Sequence, residues 1–256
     1  LLLIIIDGLG FDLALKHFKK VELIHSTFPS STPTALSTIF TGKLPSEHRI
    51  FVKTYVKYLG GAIIDFPSYS AYPGGKISSI EINKVFKFET IFEKLNKKKI
   101  KSLAVIKNGI ATSPFTSLLY KGSTVIPCFS YFDMLQNLLE MKRKADFFVW
   151  YIPEIDELQH MYGKNSLAVK EGISTIKQLI EKVKGFDIVL TADHGHINIE
   201  RAVAVNKLNK LSISTIYGDF RALMLKGEVD IKDIKRRFPE NNYFVFDKKS
   251  GFELLG

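Results

Sequence analysis

Three short windows of the chain carry side chains that bind metals. Asp7 stands before Gly8, Asp156 is followed four residues later by His160, and Asp193-His194-Gly195-His196 forms a compact run. Each window has an ordinary structural explanation: Asp-Gly pairs favour turns, and an isolated Asp caps helices. Jointly that explanation is poor. Asp-x-x-x-His puts two donors on one helical face, and three of the six histidines fall in two of these windows. Mixed carboxylate and imidazole ligation suits Zn²⁺, with Mn²⁺ as the alternative, and the donors suffice for two divalent ions. Two such ions can clamp the attacking and leaving oxygens of an in-line phosphoryl displacement. That chemistry still needs a nucleophile.

The strongest candidate is Thr32, in Phe28-Pro29-Ser30-Ser31-Thr32-Pro33-Thr34-Ala35-Leu36. Thr32 reads as a helix N-cap with Pro33 at the first helical position, where a missing N–H costs little. Leu36, Ile39 and Phe40 follow as the buried face. The open N–H groups and positive dipole of a helix start also stabilise a bound phosphate. Capping explains one hydroxyl; it does not explain this excess of Ser and Thr.

The elements that must position these residues follow from periodicity. Apolar β-rich runs at 1–6, 102–106, 147–152 and 188–191 alternate with helical patterns at 11–20, 34–40, 90–98, 132–144, 166–184 and 231–237. The alternation predicts an α/β fold with a mainly parallel central sheet and helices on both faces, and the four runs read as central strands. Val169, Ile173, Ile176, Ile180 and Val183 lie at helical spacing and are expected in the core. In such sheets ligands bind beyond the carboxyl ends of the strands. Asp7, the Asp156–His160 pair and the Asp193–His196 run each follow a strand, so the topology carries all three to one edge. Residues 50–80, punctuated by Gly60-Gly61, Pro67, Pro73 and Gly74-Gly75, read as an excursion built from a hairpin and a long loop. One domain, 1–256, is expected.

Composition narrows the partners. The chain has 256 residues, with 36 Lys+Arg against 26 Asp+Glu and a net charge of +10. A basic excess attracts polyanions. Here, however, the runs Lys97-Lys98-Lys99, Lys142-Arg143-Lys144 and Lys235-Arg236-Arg237 fall at expected helix ends, where cations complement the dipole. The pattern argues for solvated surface charge over a nucleic-acid partner; the small-molecule phosphate ester expected as partner follows from the donor windows instead. No segment has the apolar length of a membrane span, and a cytoplasmic setting is expected. The single cysteine, Cys128, excludes a cysteine-rich zinc site within the chain and reads as a small core residue. Oligomeric state is not readable.

Taken in order, Ile4-Ile5-Ile6-Asp7-Gly8, Phe28-Pro29-Ser30-Ser31-Thr32, Thr41-Gly42 with Pro45 and His48, Asp156-x-x-x-His160-x-Tyr162-Gly163 and Thr191-Ala192-Asp193-His194-Gly195 resemble the alkaline phosphatase superfamily, and within it the type I phosphodiesterase/nucleotide pyrophosphatase family. The resemblance implies a metal-dependent phosphate ester hydrolase that works through a covalent phosphothreonine. It implies Asp7, Asp193 and His194 on one metal, with Thr32 as the bridging nucleophile, and Asp156 and His160 on a second. The family completes the second site with a histidine near the C-terminus, and no His follows His196 here. Gly218–Met224 is where it would be expected. Either His196 takes its place, or the second metal is held weakly or is absent; His196 is the choice adopted. Where nucleotide-directed members contact phosphate oxygens, often with Asn, this chain has Phe51-Val52-Lys53-Thr54-Tyr55, which makes Lys53 the candidate contact. Competing readings are a sulfatase, with Ser31 as formylglycine precursor but Ala35 in place of the required Arg; a phosphomutase; and a non-catalytic phosphate- or nucleic-acid-binding protein.

Overall fold

A computed structural model of the chain describes residues 1–199, 208, 211–238 and 243–256. The strands among them are β1 (Leu2–Ile6), β2 (Lys53–Val56), β3 (Ala62–Asp65), β4 (Ser70–Tyr72), β5 (Gly75–Lys76), β6 (Ser102–Lys107), β7 (Thr124–Cys128), β8 (Phe147–Ile152), β9 (Ile188–Thr191), β10 (Ile213–Asp219) and β11 (Ala222–Gly227). Five of them form a parallel sheet in the order β7-β6-β8-β1-β9. This is the expected α/β architecture, and β1, β8 and β9, the strands that precede the three donor windows, are neighbours in it.

Pleating sends alternate residues to opposite faces, so each strand serves two cores. Ile4, Val105 and Trp150 pack on one face with Leu13, Leu138 and Ile173, from the helices Phe11–His17, Tyr131–Met141 and Leu167–Lys182. Ile5, Ala104 and Tyr151 pack on the other with Leu36 and Phe40 of the helix Thr32–Thr41, and with Phe92 and Leu119. Burying a side chain such as Phe40 or Ile173 stabilises the fold by roughly 2 kcal/mol. Of the expected stripe, Val169, Ile173 and Ile176 are buried within Leu167–Lys182 and Val183 just beyond it, whereas Leu179 takes the buried place expected of Ile180, which is only partly covered. Cys128 is fully buried in the first core.

Three details differ from the sequence reading. Strand β9 forms an edge of the described sheet, with Val189 half exposed. A short apolar run marks a strand but not its rank, because edge and centre pair through the same backbone groups. Residues 50–80 form an antiparallel meander, β2-β3-β4-β5, in a second sheet whose order is β11-β10-β2-β3-β4-β5. The β10–β11 hairpin joins it where Gly218 pairs with Lys53, over a core of Val56, Ile64, Phe66 and Ile82. The Gly and Pro residues of this region mark turns between strands rather than one long loop. Finally, the helix after the Ser/Thr run starts at Thr32, so Ser31, in extended conformation, is the N-cap and Pro33 lies one place further in. Proline is tolerated there because first-turn N–H groups have no intrahelical partner. Among the described residues no helix is long and apolar enough to cross a membrane.

Candidate active site

The site begins where β1 ends. The Asp7 amide donates to the Ile152 carbonyl at 3.0 Å, which ties the carboxyl ends of β1 and β8 together. Gly8 follows with φ +71°, a left-handed turn that glycine adopts freely. Its N–H donates to Asp193 Oδ1 at 3.2 Å, and the His194 N–H donates to the same oxygen at 2.9 Å. The loops after β1 and β9 meet backbone to backbone: a Cβ on Gly195 would lie 2.7 Å from Gly10 Cα. Ser26 donates to the Asp193 carbonyl at 2.6 Å. Packing on Tyr151's side of the sheet brings Thr32 to these residues. Thr32 Oγ1 lies 3.3 and 3.4 Å from the two Asp7 oxygens and 3.0 Å from His194 Nε2. Beside it, Ser31 Oγ instead pairs with Thr34 Oγ1 at 3.2 Å.

His194 Nε2 is 3.4 Å from Asp7 Oδ1 and 3.6 Å from Asp193 Oδ2. Its Nδ1 faces the Gly195 carbonyl at 3.3 Å, and a proton placed there leaves Nε2 as the lone-pair nitrogen aimed at the cluster. Asp156 lies in the first turn of the helix Glu154–Tyr162, where the dipole favours a carboxylate. His196 Nε2 contacts Asp156 Oδ1 at 2.5 Å, and His160 Nε2 lies 3.4 Å from Oδ2. The His160 and His196 rings meet edge to face, 4.7 Å between centroids. Two triads of donor atoms thus converge, Asp7, Asp193 and His194 in one and Asp156, His194 and His196 in the other, each with all atoms within 4.8 Å of one another. His194 belongs to both; His160 flanks the second.

These carboxylates have no cationic side chain to balance them: among the described residues no Lys or Arg pairs with Asp7, Asp156 or Asp193. Burial, together with the charges of Asp193 and Asp156, pushes the Asp7 carboxyl well above its usual range, partly offset by the Tyr151 hydroxyl that donates to it. Burial beside Asp7 likewise raises the Tyr151 phenol. For Asp156, burial acts upward, but the His196 bond and the nearby His160 and His194 outweigh it and hold the carboxyl low. Asp193 Oδ2 is buried with no hydrogen-bond partner. An orphaned buried oxygen among clustered carboxylates and a lone-pair imidazole is the environment a divalent cation satisfies, so the residues fit a metal.

The structure therefore gathers Asp7, Thr32, Asp156, His160, Asp193, His194 and His196. Lys53 lies at the start of β2 in the second sheet, with Asp65 Oδ2 at 3.9 Å and the Phe220 ring at 5.6 Å as its partners. His48 is buried and structural: the Ile50 N–H donates to its Nδ1 at 3.0 Å, so its Nε2–H donates to Thr38 at 3.1 Å. No sequence motif marks Tyr151 or Gln159, which donates to the Gly8 carbonyl at 2.8 Å. The only signal for Tyr151 was a hydroxyl in an otherwise apolar strand; Gln159 gave none.

The type I phosphodiesterase / nucleotide pyrophosphatase profile matches residues 1–249. No curated protein matches the sequence. Among solved structures, murine ectonucleotide pyrophosphatase/phosphodiesterase 5 superposes with a TM-score of 0.67 at 16% identity, over 93% of this chain and 69% of that one. The human protein of the same name gives 0.63 at 17% identity, over 93% and 68%. Phosphonoacetate hydrolase from Sinorhizobium meliloti 1021, in complex with phosphonoacetate, gives 0.54 at 17% identity, over 76% of this chain and 55% of that one. These likenesses establish the alkaline phosphatase-like fold, and the profile establishes the family. The chain belongs to the type I phosphodiesterase/nucleotide pyrophosphatase family and is a phosphoric ester hydrolase.

Proposed function

We propose that the chain, acting as one catalytic unit over residues 1–256, hydrolyses small phosphate esters through a covalent phosphothreonine at Thr32. The esters in question are phosphodiesters, nucleotide pyrophosphates or phosphomonoesters. The observation that carries this reading is Thr32 Oγ1, 3.0 Å from His194 Nε2 and 3.3 Å from Asp7 Oδ1, at the start of a helix and beside uncompensated carboxylates. Asp7, Asp193, His194 and Thr32 would hold one divalent cation; Asp156, His160 and His196 would hold the second, with Zn²⁺ the first choice and Mn²⁺ the alternative. Bound there, the cations would lower the Thr32 hydroxyl pKa and stabilise charge on the attacking and leaving oxygens.

The protein's own contribution is orientation. Asp7 and His194 fix the Thr32 hydroxyl, and the helix dipole with first-turn N–H groups, which have no intrahelical partner, favours a phosphoryl group bound at that point. Attack by Thr32 on phosphorus expels the first alcohol or phosphate, and attack by water on the phosphothreonine restores the hydroxyl. Two in-line displacements give net retention at phosphorus. Lys53, whose 3.9 Å pair with Asp65 is weak, is the proposed phosphate contact. Small ligands are consistent with the structural neighbours: an inactive threonine-to-alanine variant of the murine protein is in complex with AMP. The sulfatase reading loses ground because Thr32, not Ser31, faces the cluster. The proposed setting is the cytoplasm, where one buried thiol needs no oxidising partner.

The test is turnover of aryl phosphate monoesters, diesters and sulfate esters by metal-stripped protein resupplied with Zn²⁺ or Mn²⁺. Thr32→Ala should lose at least ~10³-fold in kcat and keep its metal content. Wild-type rates in that variant would sink the assignment, and salt-sensitive ligand binding without turnover in the wild type would favour the non-catalytic reading.

A further inference from the structure

Gln159 lies between Asp156 and His160 on the helix Glu154–Tyr162 and is almost completely buried. Its Nε2 crosses to the Gly8 carbonyl at 2.8 Å, while the Gly8 N–H holds Asp193 Oδ1 at 3.2 Å. The same residue is thus gripped from both sides, by the helix of the second donor triad and by a carboxylate of the first. The approach is tight: a Cβ on Gly8 would lie 3.0 Å from Gln159 Nε2 and 3.1 Å from Asp156 Cα. Gln159 Oε1 is buried with no partner. Leucine or methionine would fill similar space without stranding that oxygen, so burial alone does not call for an amide here. What only the amide supplies is a donor to Gly8.

We infer that Gln159 is a positioning residue that sets the separation of the two metal half-sites, by locking the helix carrying Asp156 and His160 to the Asp7–Gly8 turn. The inference rests on the two-cation reading above. Without the donor, Ile155, which is fully buried, still anchors the helix, so its packing survives while the fine placement of Asp156 against Asp193 and His194 is lost.

The experiment is titration of Mn²⁺ into metal-stripped wild type, Gln159→Leu and Gln159→Met by calorimetry, with electron paramagnetic resonance reporting exchange coupling between paired Mn²⁺ ions. Wild type should bind two ions with a coupled signal. Both variants should keep the tighter site within about threefold, weaken the second about 10- to 100-fold and lose the coupled signal. Two variants of different shape guard against one misfolding, and circular dichroism of the apo forms checks each. Variants that bind two coupled ions as tightly as wild type overturn the inference alone, as does equal weakening of both sites. A wild type that takes up no second Mn²⁺ overturns the two-cation reading and this inference with it.

Discussion

The two halves of the site are built differently. Asp7 and Asp193 lie in the loops just past neighbouring strands β1 and β9, both are buried, and each is held by further hydrogen bonds: Tyr151 to Asp7, and the Gly8 and His194 N–H groups to Asp193. Asp156 and His160 lie in the first and last turns of one short helix and His196 in a loop, they touch mainly one another, and the His160 side chain is 69% exposed. Pre-organised, water-poor donors bind an ion without first being ordered, whereas exposed ones must be gathered. The comparison predicts a tight first site that supports the nucleophile and a looser second site.

The largest effect expected is at the buried half. Asp193→Asn alters the proposed ligand to which the His194 and Gly8 N–H groups donate, and should cut first-site affinity ~10³-fold and abolish turnover, read by calorimetry and by steady-state rates. Unchanged affinity would remove Asp193 from the site. His196→Ala comes next: second-site affinity should fall about 100-fold with the first site unchanged, and a first-site loss of equal size would erase the distinction between the halves. Tyr151→Phe, which leaves the packing volume in place, should weaken only the first ion, about tenfold. Equal loss at both sites would make Tyr151 a general packing residue.

The smallest effect on activity concerns the support beneath Thr32. Burial lowers the His48 pKa from 6.5 to about 4, so the folded state holds it neutral. Between these values the unfolded chain binds more protons, and stability falls as pH drops from about 6.5 towards about 4. His48→Asn should flatten that part of a denaturation-versus-pH profile, with little change in rate at neutral pH. A profile of unchanged slope would show that other groups govern the acid side.

The parts of this protein legible in the sequence were those governed by local chemistry. Apolar runs located β1, β6, β8 and β9, and the 3.6 period identified the buried stripe of Leu167–Lys182. The donor windows stood out jointly, because turn and capping roles account for each alone but not for three of them following strands of one sheet. The second sheet was harder to read, because β4 is only partly buried, β5 is exposed, and neither carries an apolar alternation. The β10–β11 hairpin escaped for a related reason, since its partial burial comes from pairing with distant β2. The helix start at Thr32 was misplaced by one residue because Ser31 and Thr32 are both good caps, and only backbone dihedrals separate them.

By itself, then, the sequence determined the donor set and its convergence, since parallel strands joined by helices necessarily present their carboxyl ends on one edge. It also supplied the hydroxyl at a helix start. Only the tertiary structure decided that β1 lies between β8 and β9, so that His194 stands within reach of Asp7, Asp193, Asp156 and Thr32 together. Strand order depends on long-range packing, which no local pattern encodes. The same holds for Tyr151 and Gln159, whose contacts exist only because residues 144 and 151 positions away were brought against them.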